Sequence, residues 1–362
     1  MKKLGFGLMR LPRSEDGAID IAQTSEMVDH FLDAGFTYFD TAFVYEGSEE
    51  AIRKALVERH PRDSYTLATK INGMAAHDEE SCKQEFYTSL ERTGAGYFDY
   101  YLLHAIQVNN YTKYDEYHIW DFVKGLKEKG LVKHYGFSFH ATPELLDELL
   151  TKHPEVDFVQ LQINYADWED EVVASRKNYE VCVKHGKPVV VMEPIKGGTL
   201  ANPIPEITKM FKDASPEAST ASWAIRFVAS LENVMVVLSG MSTLEQMDDN
   251  ISYMKDFQPL NEEEQEVIRQ VQKKLSEIET IPCTACHYCT EGCPMGIPIP
   301  DIFKLVNSVT LYNDAKAKRG YERRTEGKGK ASDCIQCGQC EGACPQRINI
   351  IERLQGAVEM FE

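Results

Sequence analysis

No stretch of this 362-residue chain approaches the roughly 18–20 consecutive apolar residues that a bilayer span needs, so a membrane protein is not expected. The opening Met1-Lys2-Lys3-Leu4-Gly5-Phe6-Gly7 also lacks a secretory core, because Arg10 interrupts the apolar run and acidic residues follow at once. A cytoplasmic protein is the expectation. A basic surface is missing as well: the net charge is −18, which argues against nucleic acid as a partner. Cysteine is almost absent from the first 280 residues, where only Cys82 and Cys182 occur, and each reads as a small buried hydrophobe. Gly5-Phe6-Gly7 has neither the third glycine nor the helix start of a dinucleotide fingerprint. That counts against an open, doubly wound sheet.

What the chain does contain is unevenly placed. Residues 281–362 hold ten basic and ten acidic residues, so the whole negative excess lies on residues 1–280. Eight of the ten cysteines also fall after residue 280. Two domains are expected, residues 1–280 and residues 281–362.

Over residues 1–255, short β-rich runs alternate with amphipathic stretches. The runs are 4–8, 37–40, 65–70, 100–104, 134–138, 158–164, 188–193 and 234–239. Between them, stretches such as 51–57 and 144–150 place apolar residues at i, i+3 and i+4, which suits helices with one buried face. Eight successive β–α units predict a closed parallel (β/α)8 barrel. A charged helix over 261–278 closes the region, and Pro282 marks the junction.

The cysteines form two runs of one spacing, Cys283-x2-Cys286-x2-Cys289-x3-Cys293-Pro294 and Cys334-x2-Cys337-x2-Cys340-x3-Cys344-Pro345. In a reducing compartment such clustering means metal rather than disulfides. Zinc sites use two Cys-x2-Cys pairs and need neither the third cysteine nor the closing Cys-Pro. The full spacing is that of two 4Fe–4S clusters, in which the fourth cysteine of each run ligates the other cluster. Cys283, Cys286, Cys289 and Cys344 are expected around one cubane, and Cys334, Cys337, Cys340 and Cys293 around the second. The forty residues between the runs resemble the separation in helical dicluster modules, which implies a small, mainly α-helical ferredoxin-like domain, and a helical stretch is read near 301–309. Gly292, Gly296, Gly338, Gly342 and Ala343 suit close approach of backbone N–H groups to sulfur. The intervening tract 316–330 is basic. A solvated face is the plain reading, with docking of an acidic flavodoxin or ferredoxin as the alternative.

In a β/α barrel, chemistry sits where strands end at the carboxyl face. The strand ends carry Asp40, Lys70, His104, Ser138 and Gln160, and Tyr45 follows on the first of these loops. Singly, Asp40 reads as a helix cap, Tyr45 as packing and His104 as a satisfied structural histidine. Lys70 would be costly to desolvate unpaired, and Asp40 is the expected partner. Together the four form a proton-delivery device. Tyrosine is a weak acid with pKa near ~10, and a neighbouring Lys⁺ is expected to lower it. Phe43, Trp120 and Trp168 near strand ends suit an apolar pocket, and core packing explains each equally well.

Asp40-Thr41-Ala42-x-x-Tyr45, Lys70 and Leu102-Leu103-His104 resemble the aldo/keto reductase superfamily over residues 1–255. Met9-Arg10-Leu11-Pro12 and Met192-Glu193-Pro194-x2-Gly197-Gly198 resemble a bacterial branch with appended ferredoxin domains. The resemblance implies an NAD(P)H-dependent oxidoreductase that reduces an aldehyde or ketone to an alcohol, with Tyr45 as general acid. It implies cofactor positions at Gly7, Ser138, Gln160, Met192, Gly240, Ser242, Gln246, Asp249 and Asn250. Phe139 replaces the family's frequent Asn, and Met192 its stacking aromatic. No Lys or Arg lies in 240–246 to meet a 2′-phosphate, so NADPH against NADH stays open. Two other readings stand beside this one. In one, a flavin replaces nicotinamide in a flavin- or ferredoxin-linked electron-transfer enzyme, since one-electron clusters need a two-electron carrier to reach a carbonyl. In the other, the protein is a non-catalytic redox sensor that binds cofactor and partner.

Overall fold

The computed structural model describes the chain except for Met1, Ala75, Val172, Thr284, Cys286, Asn313, Ala315, Lys316 and Pro345, and the side chains of Glu291, Leu311 and Tyr312. It separates into two compact units, Met1–Asn202 with Ala214–Ile268, and Pro203–Asp213 with Arg269–Glu362.

The first unit is a closed barrel of eight parallel strands, β1 (Leu4–Gly7), β2 (Tyr38–Asp40), β3 (Thr66–Ile71), β4 (Phe98–Ile106), β5 (Val132–Phe139), β6 (Phe158–Gln162), β7 (Val189–Met192) and β8 (Val234–Ser239). Strand β1 pairs with both β2 and β8, which closes the ring. All eight expected strands are present. Most ends move by one or two residues, while β4 and β5 run longer because their ladder continues to a register shift between Leu103 and Ile106. The stretch 51–57 lies in a helix begun at Ser48 that widens into a π-helix over Arg53–Val57. Its Ala51, Ile52, Ala55 and Leu56 are buried, as the periodicity required.

Inside the barrel, Tyr38, Ala68, Leu102, Phe158 and Val190 form one packed cluster. Tyr38 and Phe158 lie against Tyr100, with ring centroids 5.3 and 5.1 Å away. Gly136 completes this layer: a Cβ there would stand 2.2 Å from the Phe158 carbonyl oxygen, so only glycine fits. Side chains two residues apart on a strand share a face. The residues two positions after this layer are Asp40, Lys70, His104, Ser138, Gln160 and Met192. An apolar floor therefore lifts a polar layer to the carboxyl end of the strands.

In the second unit, a helix follows each cysteine run, Ile299–Tyr312 and Ile350–Phe361, and each begins sixteen residues after the first cysteine. Ile299, Ile302, Phe303, Ile350, Leu354 and Ala357 build the core between them. Asn307 clamps the chain just before the first run, accepting from Ile281 N–H at 2.9 Å and donating to its carbonyl at 2.7 Å. The basic tract is not all loop: Ala317–Thr325 is helical, with Tyr321 buried and stacked on Phe361 at 5.0 Å.

Candidate active site and cluster cavities

Lys70 and Asp40 are 1% and 3% exposed, and Lys70 Nζ donates to Asp40 Oδ1 and to the Thr41 carbonyl, each at 2.6 Å. Asp40 therefore caps no helix; it holds a buried ammonium. Burial opposes the charge on Lys70, but Asp40 and Tyr45 outweigh it and hold its pKa above the ordinary value. Burial pushes the Asp40 carboxyl up, against the pull of Lys70 and Gln160. These directions compete, and the contacts decide: an ammonium between a carboxylate and a carbonyl keeps its proton, so the pair is ionic. Gln160 Nε2 donates to the other Asp40 oxygen at 3.4 Å.

The same ammonium lies 5.1 Å from the Tyr45 ring centre. Its charge lowers the phenol pKa as the sequence led us to expect, but burial is the larger effect and the net direction is upward. The expected lowering is thus reversed by desolvation in the free protein. His104 meets the Tyr45 ring edge-on, centroids 5.9 Å apart. Burial, then Lys70, then His140 push its pKa down to about 3, so the imidazole is neutral. Its Nδ1 is buried without a hydrogen-bond partner.

His104 is aimed by an irregularity in β4. Ala105 adopts φ 54°, its N–H donates to Ser138 Oγ at 2.7 Å, and its carbonyl accepts from Asn110 at 2.9 Å. The Tyr114 hydroxyl donates to the His104 carbonyl at 2.5 Å. Bulges beside active sites re-aim side chains in this way. Ser138 accepts from Ala105 and keeps its hydroxyl hydrogen to donate, as a carboxamide contact requires.

The other residues that the resemblance assigned to cofactor are placed as follows. Gly7 pairs with Asp40 across β1 and β2, Ser138 with Gln160, and Met192 is half-buried at the end of β7. Ser242 N–H donates to Gln246 Oε1 at 2.8 Å, which folds the segment after Gly240 into a compact turn. Asp249 instead accepts from Ser219 at 2.7 Å, and buried Asn250 donates to Ser239 at 2.7 Å, so both tie their helix to the barrel. Trp120 stacks on His153 at 3.9 Å, Trp168 packs on Phe227, and Phe43 lies under Arg92. Core packing accounts for Trp120 and Trp168, whereas Phe43 is half-buried beneath Arg92.

Two further residues carried no role in the sequence reading. Arg10 donates to the Gly197 carbonyl at 2.8 Å, and its own carbonyl accepts from Ser242 at 2.7 Å. Its side chain lies over Gly240, where a Cβ would be 3.7 Å from Arg10 Cδ. Arg10 thus brings a cation beside segment 240–246, which has none of its own; in the sequence it had interrupted the apolar run and formed part of the Met9–Pro12 motif. Glu193, at φ 57°, stands close enough to Tyr45 for its charge to oppose ionisation of the phenol. Lys196, Gly197 and Gly198 are also left-handed, and Lys196 pairs with buried Asp167.

In the second unit, Cys334, Cys337, Cys340 and Cys293 line one cavity. Cys283, Cys289 and Cys344 line another. Cys286, assigned to that set from the spacing, lies outside the described residues. Each cavity draws one cysteine from the opposite run. The backbone repeats too: Ala285, His287 and Gly296 have positive φ, and so do Gln336, Gly338 and Arg347, at the same offsets in the second run. Left-handed residues at matched places give the two runs the same local course beside their cavities. Among the described residues no three Cys, His, Asp or Glu converge on one ion. Thiols set around a cavity suit a cubane and do not suit a single zinc.

A closed parallel barrel with an Asp–Lys–Tyr–His layer at its carboxyl end is the scaffold of an oxidoreductase. The chain belongs to the aldo/keto reductase family, whose model matches residues 3–273. Residues 282–349 match the 4Fe-4S dicluster domain. An aldo-keto reductase of Mycolicibacterium vanbaalenii is 28% identical over 253 residues, 67% of this chain and 81% of that protein. The methylglyoxal reductase DkgA of Yersinia pestis is 31% identical over 153 residues, 41% of this chain and 50% of that protein. Among solved structures, an aldo-keto reductase from Klebsiella pneumoniae in complex with NADPH shares the fold with TM-score 0.61 at 21% identity, covering 75% of this chain and 90% of that one. The holo form of aldo-keto reductase AKR11C1 from Bacillus halodurans does so with TM-score 0.60 at 24% identity, over 74% and 91%.

Proposed function

We propose that the barrel, taken as residues 1–280, is an NAD(P)H-dependent reductase of a small aldehyde or ketone, with Tyr45 as general acid. The observation that carries this is the buried Lys70 ammonium, fixed by Asp40 and lying 5.1 Å from the Tyr45 ring. A phenol raised by burial stays protonated through neutral pH, ready to give its proton to a carbonyl oxygen. Lys70 then stabilises the phenolate left behind. The neutral His104 imidazole donates a hydrogen bond to the same oxygen and orients it. Bound nicotinamide would supply the hydride. Ser138 and Gln160 would hold its carboxamide and Met192 would flank the ring. Gly7, Gly240, Ser242, Gln246, Asp249 and Asn250 would border the rest of the groove, with the Arg10 cation on the phosphates. The NADPH complex of the Klebsiella relative supports this choice of cofactor.

In residues 281–362, Cys283, Cys286, Cys289 and Cys344 would bind one 4Fe–4S cluster, and Cys334, Cys337, Cys340 and Cys293 the other. These clusters would exchange single electrons with a carrier such as a ferredoxin or flavodoxin.

Tyr45→Phe tests the acid. Carbonyl reduction should fall by about 10²–10⁴, the usual worth of general acid catalysis, with cofactor affinity unchanged. Because His104 titrates near 3, the wild-type rate should show no His104 inflection from about pH 5 to 8. Unaltered turnover in the variant would move the donor elsewhere.

A further inference from the structure

The cavity lined by Cys293, Cys334, Cys337 and Cys340 reaches the surface at Cys337, which is exposed. Two apolar side chains on its lining are exposed as well, Ile335 at 60% and Met295 at 39%. Single exposed hydrophobes mean little by themselves. Their surroundings matter here. Gly329 N–H donates to the Gly296 carbonyl at 3.3 Å, and a Cβ at position 329 would stand 2.2 Å from the Met295 carbonyl oxygen. The segment Lys328-Gly329-Lys330 is therefore pressed against Met295, and both lysines are exposed. They close a tract, 316–330, with seven basic and two acidic residues in a chain of net charge −18. The tract is fastened to the module by the Arg324–Asp301 pair and by the Tyr321 hydroxyl, which accepts from Ala331 N–H at 2.8 Å. The second cavity has Gln346 where this one has Met295.

We propose that this edge, an apolar centre at Met295 and Ile335 flanked by Lys328 and Lys330, docks a small acidic one-electron carrier protein. The Cys334–Cys337–Cys340–Cys293 cluster is then the port through which electrons pass. The inference rests on the cluster reading above. In the step itself one electron leaves the reduced carrier and enters the oxidised cubane. No bond forms or breaks, and no proton moves. The cationic rim steers an acidic partner, and the apolar centre brings it close once docked.

The test uses the full chain with its clusters, mixed anaerobically with a reduced acidic ferredoxin while cluster absorbance is followed. In the wild type the second-order rate constant should fall steeply as salt rises. The double variant Lys328→Glu, Lys330→Glu should slow reduction about tenfold or more, within the range of electrostatic steering. Reduction of both proteins by photoreduced deazaflavin, a small probe without a docking face, should be equal. A ferredoxin rate indifferent to salt, or unchanged in the double variant, overturns the docking surface. Absence of iron from the anaerobically purified chain would instead overturn the cluster reading, so the two failures are told apart.

Discussion

Lys70 sits among partners contributed by one short segment, the end of β2 and the loop after it. Asp40 ends β2, the Thr41 carbonyl follows it, and Tyr45 lies in the loop beyond. Breaking a buried pair leaves an uncompensated charge, so loss of Asp40 should cost stability in addition to any effect on the proposed proton delivery. Chemical cost identified this pair from sequence: a lysine in an apolar run needs an anion. The same reasoning took the direction of the Tyr45 shift from its charged neighbour alone and missed the larger effect of burial, which depends on atoms far along the chain. Arg10 escaped for a related reason. Its partners Gly197 and Ser242 are close only once the barrel has closed. Arg10→Ala should weaken NADPH binding roughly tenfold or more, the worth of one charge-assisted hydrogen bond, in a fluorescence titration. Unchanged binding would remove Arg10 from the cofactor groove.

At the scale of elements, strand periodicity does most of the placing. The apolar layer Tyr38, Ala68, Leu102, Phe158 and Val190 was legible as β-rich sequence, and the polar layer follows two residues later on the same faces. The left-handed Ala105 that aims His104 was not legible, because alanine gives no local sign of such a conformation. In the second unit the cysteine spacing forecast the exchange of the fourth cysteine between cavities, while of the two helices only the one near 301–309 was expected and Ile350–Phe361 was not. That exchange has a consequence. Cys344→Ser should damage the cluster of the first run, leaving the same residual electron paramagnetic resonance signal as Cys289→Ser. A residual signal matching that of Cys340→Ser would mean that each run is self-contained.

For the molecule as a whole, composition marked the division before any geometry was known. The acidic excess lies on residues 1–280, and the cysteine runs lie on a neutral tail. The physical boundary is less tidy. Residues 203–213 group with the second unit, and that unit begins inside the helix Glu262–Ser276. A linear reading of charge and Pro282 could not detect this, since contacts made by a distant segment leave no local mark. Both parts bear on redox chemistry with different electron counts. Carbonyl reduction takes two electrons and a proton, each cubane moves one electron, and the residues proposed to deliver the proton all lie before residue 105.

The decisive measurement is product formed per reduced cluster, under strict anaerobiosis, in protein freed of nicotinamide and flavin. Reduced clusters alone should leave an aldehyde or ketone untouched, and adding NAD(P)H should restore reduction even while the clusters stay oxidised. Stoichiometric product from reduced clusters without nicotinamide would contradict the carbonyl-reductase reading and make the barrel an electron-fed site.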